Sequence, residues 1–214
     1  IKIMLIPSKV AVIITTYNRH KNLITVIEQL IGQSCVEKIE KICVSDGFDE
    51  EVKAICSYYK LNYLFCEKNN NLNSSKGHLA RDTGIQNTTS EFLCLWDDDN
   101  YYNHDAIENL LECVNQSDIG VCDILFRKSS PVENKKYSRQ YGSKEIYRKI
   151  PENWSGDFVL RQIDPMNVIV RTSLAKKEKW SDIHVYEGDF IWLNKLMSYN
   201  PKVSYSKKNI GIKL

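Results

Sequence analysis

The sequence lacks an excess of charge of either sign: 29 lysines and arginines stand against 27 aspartates and glutamates, a formal net charge of +2 over 214 residues. A domain that works on nucleic-acid backbones carries a marked basic excess, so nucleic acid is excluded as the expected partner. No apolar stretch approaches the ~20 residues that a membrane span requires. The opening run Ile1-Lys2-Ile3-Met4-Leu5-Ile6-Pro7 is too short for a signal peptide and is broken by proline. Repeats and long low-complexity tracts are missing too, and with five prolines and nine glycines the collagen-like and disordered classes fall away. Cysteine is present, at positions 35, 43, 56, 66, 94, 113 and 122, but never as C-x-x-C. Embedded in runs such as Lys41-Ile42-Cys43-Val44, these residues read as reduced, buried thiols of a cytoplasmic protein rather than a zinc site or disulfide scaffold.

What remains is a globular composition, 43% hydrophobic and 26% charged, long enough to bury one core. Val10 to Ile14 is a continuous β-branched and apolar run, which predicts a strand covered on both faces. Leu23, Val26, Ile27, Leu30 and Ile31 then recur at helical spacing, with Gly32 as the stop. The alternation repeats, with strands at Ile39 to Val44, Leu61 to Cys66 and Glu91 to Trp96, and helices over Glu50 to Tyr59, from about Lys76, and around Ile107 to Val114. Four strand-helix units predict an α/β fold whose mostly parallel central sheet is flanked by helices. Beyond residue 120 the pattern loosens. Val121 to Phe126 and Pro165 to Val170 read as strands, Thr172 to Lys179 as a short helix, and Phe190, Leu193 and Met197 as the buried stripe of another. Arg127 to Gly156 is polar and reads as an insertion. Lys202, Lys207, Lys208 and Lys213 read as a solvated face, with membrane contact at most peripheral.

In parallel sheets ligands bind beyond the carboxyl ends of the strands, and the polar clusters fall there. Thr15-Thr16-Tyr17-Asn18-Arg19 follows the first strand, Ser45-Asp46-Gly47 the second, and Asp97-Asp98-Asp99 the fourth. Three adjacent carboxylates repel one another unless something positive compensates them. Asp97 and Asp99 therefore suggest a divalent metal, Mn2+ or Mg2+, shared with a diphosphate, while the competing assignment is a helix N-terminus capped by acids. Histidines 20, 78, 104 and 184 are isolated, which predicts structural or surface roles. Trp180 and Trp192 are read as core, and Trp154 is the tryptophan to watch for sugar stacking because it lies in the polar insertion.

Together with Gly77-His78-Leu79-Ala80-Arg81-Asp82-Thr83-Gly84-Ile85, these clusters come in the order that resembles family 2 glycosyltransferases of the GT-A, Rossmann-like fold. The match is clear over about residues 8–115, which would form the nucleotide-sugar half of a single domain spanning 1–214, with the acceptor half at about 116–214. The resemblance implies that Thr15, Tyr17 and Asp46 hold the base, with Arg19, Arg81 and Asp98 also on the nucleotide-sugar side. It puts Asp97 at the ribose and Asp99, with Asp97, on the metal. Asp82 departs from the family, which commonly has asparagine there.

In the second half, Tyr186-Glu187-Gly188-Asp189-Phe190 resembles the acidic segment that carries the family's general base, with Asp189 as first choice and Glu187 as reserve. The competing role for Asp189 is a helix cap. The implied activity is inverting transfer of a sugar, UDP-linked by family precedent, from a nucleotide-sugar donor to a glycan or lipid-linked acceptor in surface polysaccharide synthesis. A sugar nucleotidyltransferase would need a glycine-rich phosphate loop after the first strand, and Thr15 to Arg19 contains no glycine. A catalytically inactive nucleotide- or glycan-binding module is the other alternative.

Overall fold

Val10 to Ile14 are all buried, and they build the middle of the sheet. In the computed structural model, which describes residues 10–67, 77–127, 146–148, 158, 163–180, 183 and 188–213, strand β1 (Val10–Thr16) lies between parallel neighbours β2 (Ile39–Asp46) and β4 (Phe92–Asp97). Its side chains part with a period of two. Val10, Val12 and Ile14 share a core with α1 (His20–Ile31), α2 (Glu50–Tyr59) and α4 (Ala106–Val114). Ala11 and Ile13 share the other with α3 (His78–Asn87), α5 (Thr172–Ala175) and α6 (Gly188–Met197). With helices over both faces there is no solvated side for polar residues, which is why the strand reads as one apolar run.

The sheet continues through β3 (Asn62–Cys66), β5 (Tyr101–Tyr102), β6 (Ile119–Arg127), β7 (Ile146–Arg148), β8 (Val168–Arg171) and β9 (Val203–Lys213). Its order is β3-β2-β1-β4-β8-β6-β9-β5, with β7 paired to β6. The first four strands are parallel, and β8 enters antiparallel between β4 and β6. The chain builds outward from β1 to β3, then returns to the other side of β1 with β4. This reversal opens a crevice at the carboxyl ends of β1 and β4. Among the described residues no helix is long and apolar enough to cross a membrane. All seven cysteines are free thiols, six of them buried.

Three expectations are corrected. The segment Pro165 to Val170 is not all strand: Pro165–Asn167 is a 3-10 turn, and β8 starts only at Val168. Asp164 caps that turn, accepting from the Met166 N–H at 3.1 Å, while Asn167 Oδ1 accepts from the Asp164 N–H at 3.0 Å. The helix from Thr172 stops at Ala175 rather than Lys179. Lys176 turns back to the carbonyls of Gln86 and Thr88, and the Trp180 N–H is taken by Asp82 at 2.7 Å. The third correction concerns the lysine-rich tail. It is strand β9, with Ile212 paired to both Tyr101 and Leu125. Lys202, Lys207 and Lys208 are exposed as expected, but Lys213 turns inward.

Helix α3 must approach β1 closely to bring its arginine to the strand ends, and Gly84 makes this possible. A Cβ at 84 would collide with Cγ2 of the fully buried Ile13 and sit 3.3 Å from Cγ2 of Val44. Gly84→Ala is expected to destabilise the fold by about 1–3 kcal/mol, read in thermal denaturation as a midpoint lowered by roughly 2–4 °C per kcal/mol.

Candidate active site

Two backbone turns shape the first wall of the site. Asn18 (φ 51°) and Gly47 (φ 90°) take left-handed conformations directly after β1 and β2, and both residue types tolerate that region. The turns leave a cleft of about 140 Å³ lined by Thr16, Tyr17, Asp46 and Phe48 among others. Phe48 is exposed and braced edge-on by Phe65, ring centroids 5.3 Å apart. Beside Asp46 the Cys66 thiol has two acceptors for its one proton, the Ser45 carbonyl at 3.6 Å and Asp46 Oδ1 at 3.7 Å. Burial, outweighing a backbone hydrogen bond from Gly47, pushes that thiol up to about 11 and keeps it a donor.

The aspartate triplet forms the centre. Strand β4 ends at Asp97, so Asp98 and Asp99 lie in a turn and strand periodicity no longer sets their directions. Asp98 accepts from Thr16 Oγ1 at 2.7 Å and from Arg19 Nη1 at 2.8 Å, and the same Arg19 nitrogen reaches Asp99 at 2.9 Å. Burial is the main reason the Asp98 carboxyl is pushed up to about 6, against the pull of Thr16 and Arg19. The triplet is not a helix cap. Helix α4 starts at Ala106 behind Asp105, with β5 in between.

Asp97 turns to different cations. Its Oδ1 accepts from Arg81 Nη2 at 2.8 Å and its Oδ2 from Lys213 Nζ at 3.2 Å, while its backbone N–H donates to the Tyr102 hydroxyl at 3.1 Å. Burial alone would raise this carboxyl, but Lys213 and Arg81 overcome it and hold Asp97 at about 2. Tyr102 is itself stacked on Trp96, centroids 3.6 Å apart. Lys213 also pairs with Asp164 at 3.1 Å. Asp189, in the first turn of α6, completes the group. Burial pushes it up to about 6, with Arg81 and Lys213 opposing and the Asp164 and Asp97 charges reinforcing.

The start of α6 is held by His78. Its Nδ1 is 2.6 Å from the Ile183 carbonyl, and its Nε2 lies 2.6 Å from where a Cβ on Gly188 would stand, so only glycine fits before Asp189. His78 is thus buried and structural, as expected of it. Trp180 and Trp192 are core, their centroids 4.9 Å apart, and Arg81 lies over the Trp180 ring at 5.0 Å.

The structure thus brings Tyr17 and Asp46 to one cleft, joins Arg19, Asp98 and Asp99 beside it, and gathers Arg81, Asp97 and Asp189 behind. Thr15 faces elsewhere: its register partner is Asp97, and its hydroxyl and the Arg81 guanidinium both border Gly77, so Thr16 takes the cleft. Glu187, His184 and Trp154 lie outside the described residues. Lys213, Asp164 and Phe48 were missed. The alternation of Val203, Tyr205, Ile210 and Ile212 signals a strand under Lys213, and Asp164-Pro165-Met166-Asn167 carries a capping pattern.

The positive charge that the triplet demands comes from Arg19, Arg81 and Lys213. With Asp164 and Asp189 included, five carboxylates face these three basic groups, leaving two negative charges in excess. Among the described residues no three His, Cys, Asp or Glu side chains form a cage for a metal ion.

Known proteins share this fold. The model of the family described as "Glycosyl transferase family 2" matches residues 11–195. Glycosyltransferase GlyA of Streptococcus pneumoniae is 28% identical over 123 residues, 55% of this chain and 17% of that protein. S. aureus TarS, solved as residues 1–349 in complex with UDP-GlcNAc, superposes with a TM-score of 0.61 at 22% identity, covering 96% of this chain and 58% of that one. The mannosyltransferase PcManGT of Pyrobaculum calidifontis, in complex with GDP-Man and Mn2+, gives a TM-score of 0.69 at 13% identity over 97% of this chain and 57% of that one. The fold is GT-A. The chain spans about a sixth of the length of the curated relative and under two thirds of each solved structure.

The family departure at Asp82 has a physical account. Its Oδ1 receives the Trp180 N–H and so holds the ring against Arg81. Asp82→Ala strands a buried N–H and is expected to cost about 1–3 kcal/mol. In thermal denaturation Asp82→Asn, which keeps an acceptor oxygen, should lose visibly less than Asp82→Ala.

Proposed function

The chain belongs to glycosyl transferase family 2, and from that premise we propose that it transfers a sugar from a nucleoside-diphosphate sugar, UDP-linked, to an acceptor hydroxyl with inversion. One observation carries the reading. The Tyr17–Asp46 cleft, the aspartate triplet and Asp189 form one continuous site at the strand ends, linked through Thr16–Asp98, Arg81–Asp97 and the charges around Arg81. TarS in complex with UDP-GlcNAc supports UDP, and PcManGT in complex with GDP-Man and Mn2+ supports a divalent ion.

In this reading Tyr17 and Phe48 offer aromatic faces to the base, and Asp46 a carboxylate to its N–H edge. Asp97, held near 2, stays ionised and therefore a pure acceptor for ribose hydroxyls. Asp99, with Asp97 and the donor's phosphates, would hold Mn2+ or Mg2+. When bound, that ion supplies charge stabilisation for the departing diphosphate. Asp189 takes the proton of the acceptor hydroxyl as its oxygen attacks the anomeric carbon from the face opposite the diphosphate. The new C–O bond forms, the bond to the diphosphate breaks, and the negative charge leaves with the nucleotide. The acceptor is a glycan or lipid-linked saccharide, met on the side of residues 116–214 in a single domain, and the setting is polysaccharide assembly in the cytoplasm.

A thermal-shift screen of UDP-sugars and GDP-mannose with and without manganese tests the donor assignment. A midpoint rise for one UDP-sugar that needs the metal is expected. No shift with any donor would overturn the reading, and binding without turnover would leave only a binding module.

The base assignment makes a separate claim. Asp189→Asn should keep donor binding while transfer falls by about 10²–10⁴-fold. Because burial raises Asp189 to about 6 and the base works ionised, kcat/KM of the parent should be full above that value. Below it, kcat/KM should fall about tenfold per pH unit. A flat acid limb, or an active Asp189→Asn, would refute this role.

A further inference from the structure

Of the seven free cysteines, Cys113 is the one whose thiol is half-buried, and the other six are buried. Cys113 stands in the last turn of α4, and Cys122 lies on β6 with none of its surface exposed. The helix packs on the strand so that each sulfur rests on backbone next to the other cysteine. Cys113 Sγ is 3.4 Å from the carbonyl oxygen of Val121, the residue before Cys122. Cys122 Sγ is 3.6 Å from the carbonyl oxygen of Asn109, one helical turn before Cys113. The two thiols interact directly, with Cys122 donating to the Cys113 sulfur.

That contact sets the two sulfurs apart chemically. The Cys122 proton outweighs burial and, helped by Ser204 Oγ at 3.6 Å, brings the Cys113 thiol down to about 6, while Cys122 is pushed up in return. Cys113 is therefore a thiolate at neutral pH, the form that attacks a peroxide, and a protonated thiol stands beside it. Cys43 and Cys56 also interact, but neither exposes any surface to an oxidant. Cys66, beside Asp46, is kept protonated by burial. The pair also has slack at one end. Asn167 Nδ2 donates to the Cys122 carbonyl at 2.7 Å and fixes the strand, whereas Cys113 lies in a final helical turn, where helices fray.

We infer that Cys113 and Cys122 form an oxidation site for a peroxide, in which Cys113 takes the oxygen and Cys122 closes a disulfide between α4 and β6. In the first step the Cys113 thiolate attacks one peroxide oxygen and the O–O bond breaks. The sulfur is oxidised to a sulfenic acid, the peroxide is reduced, and the departing hydroxide takes up a proton as water. In the second step the Cys122 sulfur attacks the Cys113 sulfur. The S–S bond forms, the S–O bond breaks, and the hydroxyl leaves as water with the Cys122 proton. Two thiols and one peroxide thus become one disulfide and two waters. Closing the sulfurs to about 2.05 Å draws the end of α4 onto β6. The site uses none of the residues assigned to sugar transfer and stands apart from that reading.

The test exposes the folded full chain to hydrogen peroxide at neutral pH, blocks the remaining thiols and maps its peptides without reduction. A Cys113–Cys122 disulfide should form before any other cysteine is oxidised, and dithiothreitol should reverse it. In Cys122→Ala the resolving thiol is gone, so dimedone should trap the sulfenic acid on Cys113. Alkylation of Cys113 by iodoacetamide at neutral pH should also slow by about tenfold in that variant, because its acidity returns toward that of a free thiol. The peptide map of the parent needs no substitution, so it decides the matter even if Cys122→Ala does not fold. Cys113 staying reduced while another cysteine reacts, oxidation of the parent that stops at Cys113 without a disulfide, or a first disulfide between another pair would each overturn the proposal.

Discussion

Everything at the strand ends depends on the neutralisation of buried carboxylates by basic groups that the fold brings from elsewhere. Asp97, Asp98 and Asp99 are adjacent in the chain and cannot avoid one another, so basic groups from other segments must offset their repulsion. Arg19, one residue beyond the turn of β1, serves Asp98 and Asp99; Arg81 from α3 and Lys213 from β9 divide Asp97 between them. The acidic side chains are only 3–21% exposed, and in that environment an unmatched charge is costly, whereas a matched one fixes the position of its partner.

The topology explains how distant segments reach this point. Because β4 returns to the opposite side of β1 from β2, the ends of β1 and β4 flank a crevice. Residue spacing within the sheet then does the placing: Thr15 stands opposite Asp97, and Thr16 opposite Ser45, by register alone. Helix α3 can lean onto this edge only because Gly84 removes a side chain between it and Ile13. On the far side, β8, β6 and β9 extend the same sheet until its ninth strand delivers a lysine to its fourth.

What was legible in the sequence were features carried by neighbours in the chain. A doubly covered strand has to be apolar throughout, so Val10 to Ile14 announced its own place, and the aspartate triplet announced a demand for positive charge. The source of that charge was not legible. Lys213 finds Asp97 across 116 residues and reaches Asp164 as well, and a lysine in a polar, lysine-rich segment gives no local sign of turning inward. Nor does the sequence show that β4 ends at Asp97, so that Asp97 and Asp99 turn to different cations. The proline in Asp164-Pro165 marked a break in a strand rather than its beginning, because a residue without an N–H suits the first position of a capped turn.

The same two cations also separate the chemistry of the carboxylates around them. Asp97 touches both Arg81 and Lys213 and is held at about 2, whereas Asp189 feels them without either as its main influence and is carried by burial to about 6. Two hydrogen-bonded cations against burial are therefore enough to give one carboxylate that stays ionised near neutrality, where burial leaves another poised close to it. A group of the first kind can only receive hydrogen bonds, which suits the fixed hydroxyls of a donor; a group of the second kind can take a proton and release it again. Where environments push like groups apart in this way, the division of roles follows from the positions of the neighbouring charges. It is the inward turn of β9, as much as the aspartates themselves, that makes the division possible.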